Sequence, residues 1–125
     1  MKLIFYSFIM KTLLIHNPRC SKSREAKEIL TAQGIVFEVV DYLKDGLKEK
    51  LLQRLPELTG LTYREMIREK EDIFKELKLR DLNLTDKEWI TLLQKHPILL
   101  ERPIFIHNEK AVIARPIEKI FELLT

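Results

Sequence analysis

Residues 96–103, with the sequence HPILLERP, contribute most to the prediction of the fold. The apolar run in this stretch ends at Arg102 and Pro103, and the β-branched and aromatic residues that follow indicate a strand entered through the proline. The single cysteine, Cys20, lies far upstream, and a second Arg-Pro pair begins at Arg115. A lone thiol with arginines on distant loops is typical of a thiolate that acts on a small oxyanion.

The composition is that of one globular domain. The chain has 125 residues, of which 46% are hydrophobic and 33% charged, and this length suffices for a well-packed core. A formal net charge of +3, from 22 basic and 19 acidic residues, is too balanced to indicate nucleic-acid binding. A single cysteine excludes an internal disulfide, and the histidines His16, His96 and His107 lack metal-ligand spacing. We therefore expect no metal and no bound cofactor.

The first nine residues form a separate apolar stretch. They are far too few to span a bilayer, and they lack the small-residue cleavage pattern of a signal peptide. Met10 stands directly before the first expected strand, where a chain could start. The sequence therefore predicts an N-terminal extension over 1–9 and a single domain over 10–125. We expect this domain to lie in the cytoplasm and to have no contact with a membrane.

The first part of the chain reads as a β-α-β unit. Residues 12–16 are short and apolar, as in a buried strand, and residues 35–42 are β-branched and aromatic. Between them, the helix that follows Cys20 has one apolar face and stops at Gly34, a residue suited to a left-handed helix end. Because a helix connects the two strands, they are expected to be parallel.

The rest of the chain is predicted to be helical and then to return to strands. Helical spacing of leucines and two capping boxes, which begin at Thr62 and Thr85, indicate helices over about 45–96. After Pro103 we expect strands over 103–107 and 111–115, a turn at 108–110, and a last helix with Pro116 in its first position.

This order of elements predicts an α/β, thioredoxin-like fold. The arrangement is β-α-β, a helical insert over about 45–96, then β-β-α, which gives a mixed four-stranded sheet with helices on both faces. In that fold the chain enters the third strand through a proline, commonly cis, that faces the reactive thiol. Pro103 occupies this place.

The position of Cys20 favours a reactive thiolate over a buried structural thiol. The free amides and the positive end of the helix dipole stabilise an anion at a helix start, and Ser21 or Ser23 could donate to the sulfur or to a bound oxyanion. A cysteine-based phosphatase loop would require an arginine at the position of Ala26, and a dithiol oxidoreductase a cysteine at that of Ser23. Monothiol exchange with glutathione remains open.

Four separated stretches resemble the glutaredoxin-dependent arsenate reductase family. They are residues 16–24 (HNPRCSKSR), 62–68 (TYREMIR), 96–104 (HPILLERPI) and 114–116 (ARP). The resemblance places the nucleophile at Cys20. It places the oxyanion-binding arginines at three positions: Arg68, Arg102 and Arg115. Arginine binds tetrahedral oxyanions bidentately, which agrees with that assignment.

Other polar residues have more than one interpretation. His16 either tunes the cysteine or is a core histidine satisfied by the backbone. Arg54, Arg64 and Arg80 are expected to be solvated surface charges. Arg19, beside the cysteine, departs from the family, where a small residue is common.

The resemblance implies a reaction in which the Cys20 thiolate attacks arsenate and displaces water. Glutathione, the co-substrate, attacks next, and glutaredoxin then removes it, with release of arsenite. We expect a monomer whose partners are arsenate, glutathione and glutaredoxin.

Two other functions remain open. One is a redox-sensing regulator that binds RNA polymerase; Ser23 in place of a second cysteine, together with Arg115, favours the enzyme over it. The other is a monothiol glutathione-dependent oxidoreductase with another substrate.

Overall fold

The computed structural model describes residues 12–124, so the predicted extension over 1–9 lies outside the described residues. The chain forms two compact units. Of the described residues, the first contains 12–41 and 102–124, and the second contains 42–101. The first unit is therefore discontinuous in sequence, and the second is inserted between its halves.

The first unit is built around a mixed four-stranded sheet in the order β2-β1-β3-β4. Strand β1 pairs parallel with β2 and antiparallel with β3, and β3 pairs antiparallel with β4. The predicted thioredoxin-like α/β fold is confirmed. The elements of this unit are β1 (Leu13–His16), α1 (Ser21–Ala32), β2 (Glu38–Asp41), β3 (Ile104–His107), β4 (Lys110–Ile113) and a 3₁₀ helix (Ile117–Leu123).

The strand register brings the ends of several strands to the same edge of this sheet. Ile15, near the end of β1, pairs with Ile104 at the start of β3, and Ile104 also pairs with Ile113 at the end of β4. In β2, Asp41 pairs with the last residue of β1, His16. Because Cys20 follows β1, Arg102 precedes β3 and Arg115 follows β4, the register places all three at the same edge.

The core of the first unit holds α1 against the sheet. Its buried apolar residues come from the sheet, from α1 and from the 3₁₀ helix and its approach: Leu14, Phe105, Ala26, Leu30, Ala114, Ile117 and Ile120. Burial of such side chains stabilises a fold by about 1.5–3 kcal/mol each. The helix that begins after Cys20 is thus anchored to the sheet by its apolar face.

The second unit is helical. Its helices are α2 (Tyr42–Asp45), α3 (Glu49–Thr59), α4 (Asp72–Glu76) and α5 (Asp86–Lys95), with 3₁₀ helices at Arg64–Met66, Leu79–Asp81 and Pro97–Leu99. The capping box predicted at Thr85 is present, with the Glu88 amide 3.2 Å from the Thr85 hydroxyl and the Thr85 amide 2.9 Å from the Glu88 carboxylate.

The box predicted at Thr62 also forms but starts only a 3₁₀ turn. The Thr62 amide donates to the Glu65 carboxylate, and the Glu65 amide donates to the Thr62 hydroxyl. After Met66 the chain becomes extended and forms an antiparallel bridge between Ile67 and Leu100. The hydrogen bonds of this bridge occupy backbone amide and carbonyl groups that a longer helix would have used for its own hydrogen bonds.

The hydrogen bonds of the first unit explain why two predicted boundaries are wrong. The second strand begins at Glu38 and not at residue 35, because the Ile35 amide bonds to the Leu30 carbonyl as part of the helix end. Lys110 belongs to β4 and not to the turn, since positive φ angles at Asn108 and Glu109 close the hairpin in two residues.

The last helix also differs from the prediction. It is a 3₁₀ helix, and Pro116 precedes it as the N-cap residue. Its Lys119 amide bonds to the Pro116 carbonyl, three residues earlier, as does the Leu124 amide to the Phe121 carbonyl.

Arg64 is a structural residue, so its prediction as a solvated surface charge is wrong. Its guanidinium donates to the carbonyls of Leu79 and Leu82 and lies 5.4 Å from the centre of the Trp89 ring. These contacts tie the turn at residues 64–66 to the segment before α5. Arg80, in contrast, is exposed, as predicted.

We expect Arg64→Ala to lower the free energy of unfolding by about 1–2 kcal/mol, because it removes a cation–π contact and hydrogen bonds to carbonyls. Urea denaturation followed by circular dichroism measures this change. Arg80→Ala, which removes an exposed arginine nearby in sequence, is the control and should leave the midpoint unchanged. Equal midpoints for the two variants would contradict the structural role of Arg64.

Candidate active site

Cys20 is the N-cap residue of α1 and is partly buried. Its amide donates to the Asn17 carbonyl at 2.9 Å, and its carbonyl accepts the Arg24 amide at 3.0 Å, which closes the first turn of the helix. Its extended backbone, with φ −91° and ψ 123°, is the usual conformation of a residue that enters a helix. The thiol therefore lies where the first amides of α1 have no partners within the helix.

Two of the three predicted arginines meet this thiol. The Nη2 atom of Arg115 lies 3.3 Å from the Cys20 sulfur, and its Nε donates to the Arg102 carbonyl at 2.6 Å. Arg102 is only 8% exposed and also hydrogen-bonds the thiol through its side chain. The structure thus places two guanidinium groups beside one sulfur and links the two arginines to each other.

The peptide bonds that follow these arginines are both cis. They are the Arg102–Pro103 and Arg115–Pro116 bonds. Pro103 is buried, and its carbonyl accepts the Ala114 amide at 2.9 Å. This hydrogen bond joins the residue that follows Arg102 to the residue that precedes Arg115. It therefore holds the backbone segments of the two arginines side by side.

The surroundings of Cys20 lower its pKa. Burial alone would raise the pKa of the thiol, but four groups oppose it: the amides of Ser23 and Lys22, a hydrogen bond from Arg102 and the charge of Arg115. Their sum exceeds the effect of burial, and the pKa lies below that of an ordinary cysteine. A larger fraction of Cys20 is therefore the nucleophilic thiolate at neutral pH.

The reactivity of Cys20 should show this shift directly. Because only the thiolate is alkylated, we expect the rate with iodoacetamide to rise with pH and to reach its midpoint below about 8.5, the value of a free cysteine. Cys20 is the only cysteine, so the loss of free thiol reports this site alone. A midpoint at or above that of free cysteine would contradict an activated thiol.

Ser23 and Asn17 order the loop before the helix. Ser23 is fully buried, and its hydroxyl oxygen accepts the Asn17 amide at 3.3 Å. The Asn17 side chain in turn accepts the Arg19 amide at 3.0 Å. Ser23 therefore contributes its backbone amide to the thiol, while its side chain holds the loop. Asn17 was not predicted to be a site residue, although Asn followed by Pro is a common turn signal.

His16 is a buried residue at the end of β1, with 5% exposure. Burial and the nearby charge of Lys27 lower the pKa of its ring, and their effect exceeds that of Asp41, which raises it. The ring is therefore neutral at neutral pH.

Arg68, the third predicted arginine, lies in the second unit and is bound to two carboxylates there. Its Nε is 3.1 Å from Glu71 Oε2, and its Nη1 is 2.6 Å from Glu101 Oε1. Burial lowers the pKa of Arg68, but the two carboxylates outweigh it and raise the pKa. Its part in oxyanion binding stays a prediction.

Glu71 and Glu101 were not selected from the sequence. Glu71 follows Arg68 by three residues, a spacing at which side chains of a helical turn meet. Glu101 reaches Arg68 because of the bridge between Ile67 and Leu100, and no local pattern announces such a pairing.

Residues 12–124 contain neither a cluster of metal-ligating side chains nor a helix that could span a membrane. No group of three or more histidine, cysteine, aspartate or glutamate side chains is arranged to hold a metal ion in this part of the chain. None of the helices described there has the length and apolar character needed to cross a membrane.

Comparison with known proteins gives a consistent family. The ArsC family model matches residues 15–123. An arsenate reductase of Neisseria meningitidis serogroup A is 43% identical over 112 residues, which is 89% of this chain and 96% of that protein. The uncharacterized protein YfgD of Escherichia coli is 42% identical over 112 residues, 89% of this chain and 94% of its own length.

A solved structure agrees with these sequences. The arsenate reductase from Vibrio cholerae superposes with a TM-score of 0.85 at 41% identity, covering 91% of this chain and 98% of that one. With the family model across most of the chain and with relatives above 40% identity, the resemblance inferred from the sequence is confirmed. The chain belongs to the ArsC family.

Proposed function

We propose that this protein is an arsenate reductase in which the Cys20 thiolate is the nucleophile. The observation that carries the proposal is the 3.3 Å contact between Arg115 Nη2 and the Cys20 sulfur, with Arg102 hydrogen-bonded to the same thiol. Several similar proteins, including those from Neisseria meningitidis and Vibrio cholerae, are named arsenate reductases, which supports this substrate.

The two guanidinium groups suit a tetrahedral oxyanion. A planar guanidinium offers donors in a fixed fork that can bind two oxygens of one anion. Positive charge beside the sulfur favours the thiolate, and the same charge attracts arsenate to within reach of it. In this proposal Arg102 and Arg115 therefore bind the substrate and activate the nucleophile together.

Arg68 is the third oxyanion-binding residue of the proposal, on the strength of the family resemblance. Its contacts with Glu71 and Glu101 hold the guanidinium in one orientation. The guanidinium of Arg68 has five N–H donors, of which two bond to these carboxylates. In the proposal, other donors of the same group bind the oxyanion.

The proposed reaction then has three steps. The Cys20 thiolate forms a bond to arsenic, and one arsenate oxygen leaves as water after taking up protons. A glutathione thiolate next attacks the Cys20 sulfur; the sulfur–arsenic electron pair stays on arsenic, which leaves as arsenite, and a Cys20–glutathione disulfide forms. A glutaredoxin thiolate finally attacks the glutathione sulfur and releases the Cys20 thiolate.

External thiols are required because Cys20 is the only cysteine of the chain. A resolving thiol from a second cysteine is not present in the sequence, so the arsenic adduct cannot be reduced internally. We propose that glutathione is the co-substrate, that glutaredoxin regenerates the enzyme, and that the protein acts as a cytoplasmic monomer without a bound cofactor.

A coupled assay tests the proposal. Purified protein is supplied with arsenate, glutathione, glutaredoxin, glutathione reductase and NADPH, and arsenate-dependent NADPH oxidation is followed. We expect turnover that is lost when arsenate, glutathione or glutaredoxin is omitted, and little turnover when thioredoxin and its reductase replace the glutathione system.

The same assay separates the alternatives. If Cys20 takes up glutathione but arsenate is never reduced, the protein is a monothiol oxidoreductase with another substrate. If neither reaction occurs and the protein is retained by RNA polymerase, the regulatory function holds instead.

A further inference from the structure

A groove of about 600 Å³ runs along α1 in the first unit. Its lining comes from the end of β1, from the loop that leads to Cys20, and from one face of α1: His16, Pro18, Arg24, Lys27, Glu28 and Thr31. Small-molecule sites in proteins commonly have volumes of about 300–1,000 Å³. The groove is thus large enough for a ligand of a few residues.

The groove begins at Pro18, in the loop that leads to Cys20, and follows α1 away from that loop. Residues four, seven and eight positions after Cys20 lie on the same side of a helix, and these are Arg24, Lys27 and Glu28. At 1.5 Å per residue, Arg24 lies about 6 Å and Lys27 about 10 Å along the axis from Cys20. Arg24 also donates to the Pro18 carbonyl at 2.9 Å, which holds it at the cysteine end.

This groove is separate from the paired arginines. Arg102 and Arg115 adjoin β3 and β4, on one side of β1. His16 of the groove is paired with Asp41 of β2, on the other side of β1. The groove and the two arginines therefore lie on different sides of β1, and the oxyanion of the proposed reaction uses only the side of the arginines.

The charges of the groove match those of glutathione. Arg24 and Lys27 supply two cations and Glu28 one carboxylate along a single helix face. Glutathione carries two carboxylates and one ammonium group around its central thiol. The aliphatic lengths of the lysine and arginine side chains, with Pro18, give the groove apolar walls for its backbone.

We propose that this groove binds glutathione, with its carboxylates at Arg24 and Lys27 and its ammonium at Glu28, so that its thiol meets the Cys20 sulfur. The inference rests on the proposed function, in which glutathione attacks that sulfur. Glutathione then approaches from the side of β2 while arsenic occupies the side of the two arginines. That arrangement lets the thiolate attack sulfur as the sulfur–arsenic bond breaks on the other side.

Thiol–disulfide exchange tests the groove without arsenate. The Cys20 thiolate attacks oxidised glutathione, forms the mixed disulfide and releases one glutathione thiolate. We expect Lys27→Gln to slow this reaction by about three- to fivefold, the effect of one partly screened ion pair. The rate with the uncharged bis(2-hydroxyethyl) disulfide should not change, because that reagent has no charge for Lys27 to bind.

Arg19→Gln is the matched control. Arg19 is exposed and adjoins Cys20 but does not line the groove. A general attraction between a basic surface and an anion predicts an effect at Arg19 as large as that at Lys27. The groove predicts a much smaller effect at Arg19, because Lys27 lines the groove and Arg19 does not.

Glu28→Gln gives the sharpest contrast. Removal of a negative charge would speed the approach of an anionic disulfide if only net charge mattered. The groove instead predicts slower exchange with oxidised glutathione, because the ammonium loses its partner. Faster exchange in this variant, equal slowing at Lys27 and Arg19, or no effect at Lys27 would each overturn the proposal. A failure to reduce arsenate would leave these rates untouched and would bear only on the proposed function.

Discussion

Replacement of Cys20 by serine is expected to abolish arsenate reduction. A serine hydroxyl stays protonated at neutral pH even where the pKa of a thiol is lowered, so the variant has no thiolate to bond to arsenic. It also has no sulfur for glutathione to attack, so the step that reduces arsenic is lost as well. We expect a loss of about 1,000-fold or more, down to the background of the coupled assay.

The substitution should leave the fold unchanged. Serine is close to cysteine in size, and the core contacts that anchor α1 come from residues further along the helix, such as Ala26 and Leu30. Circular dichroism and the thermal midpoint of the variant check this. Arsenate reduction above a tenth of the wild-type rate in a folded variant would show that another group is the nucleophile.

Substitutions of the two arginines are expected to give the next largest effects. Arg115→Ala removes the guanidinium beside the sulfur and the hydrogen bond to the Arg102 carbonyl. Arg102→Lys keeps the charge but loses the bidentate fork. We expect each change to lower arsenate turnover by about tenfold or more, as does the loss of a donor that stabilises charge in other enzymes.

The pH dependence of Cys20 separates the two roles of Arg115. The charge of Arg115 lowers the pKa of the thiol, so its removal should move the midpoint of iodoacetamide alkylation to higher pH. Arg80→Ala, at an exposed position in the second unit, is the control for both measurements. Unchanged turnover and an unchanged alkylation midpoint in Arg115→Ala would show that the oxyanion site is misassigned.

Much of the fold could be predicted because its strands and helix starts have local signals. The strand ending at His16, the helix after Cys20 and the capping box at Thr85 each depend on neighbouring residues alone. The wrong boundaries arose where a distant or competing contact decided the outcome. The Ile35 amide bonds to the end of α1 and so does not join the second strand. The bridge between Ile67 and Leu100 ends the 3₁₀ turn that begins at Arg64.

The site residues also divide into those that have a local signal in the sequence and those that depend on contacts of the folded chain. Cys20 could be selected from its place at a helix start, and the two Arg-Pro pairs marked Arg102 and Arg115. The surface contacts could not be predicted in this way. Arg64 resembled any charged residue in sequence, and only the folded chain shows it over the Trp89 ring. The groove along α1 likewise depends on which helix face remains open beside His16.

The most direct test of the central claim is a single turnover without glutaredoxin. Protein, arsenate and glutathione are mixed, arsenite is quantified, and the protein is analysed by intact mass and by mapping of the peptide that contains Cys20. We predict one arsenite released per protein and a mass increase of one glutathione at Cys20, reversed when glutaredoxin is added. Arsenite formed while Cys20 remains unmodified, or glutathione on Cys20 with no arsenite, would contradict the account.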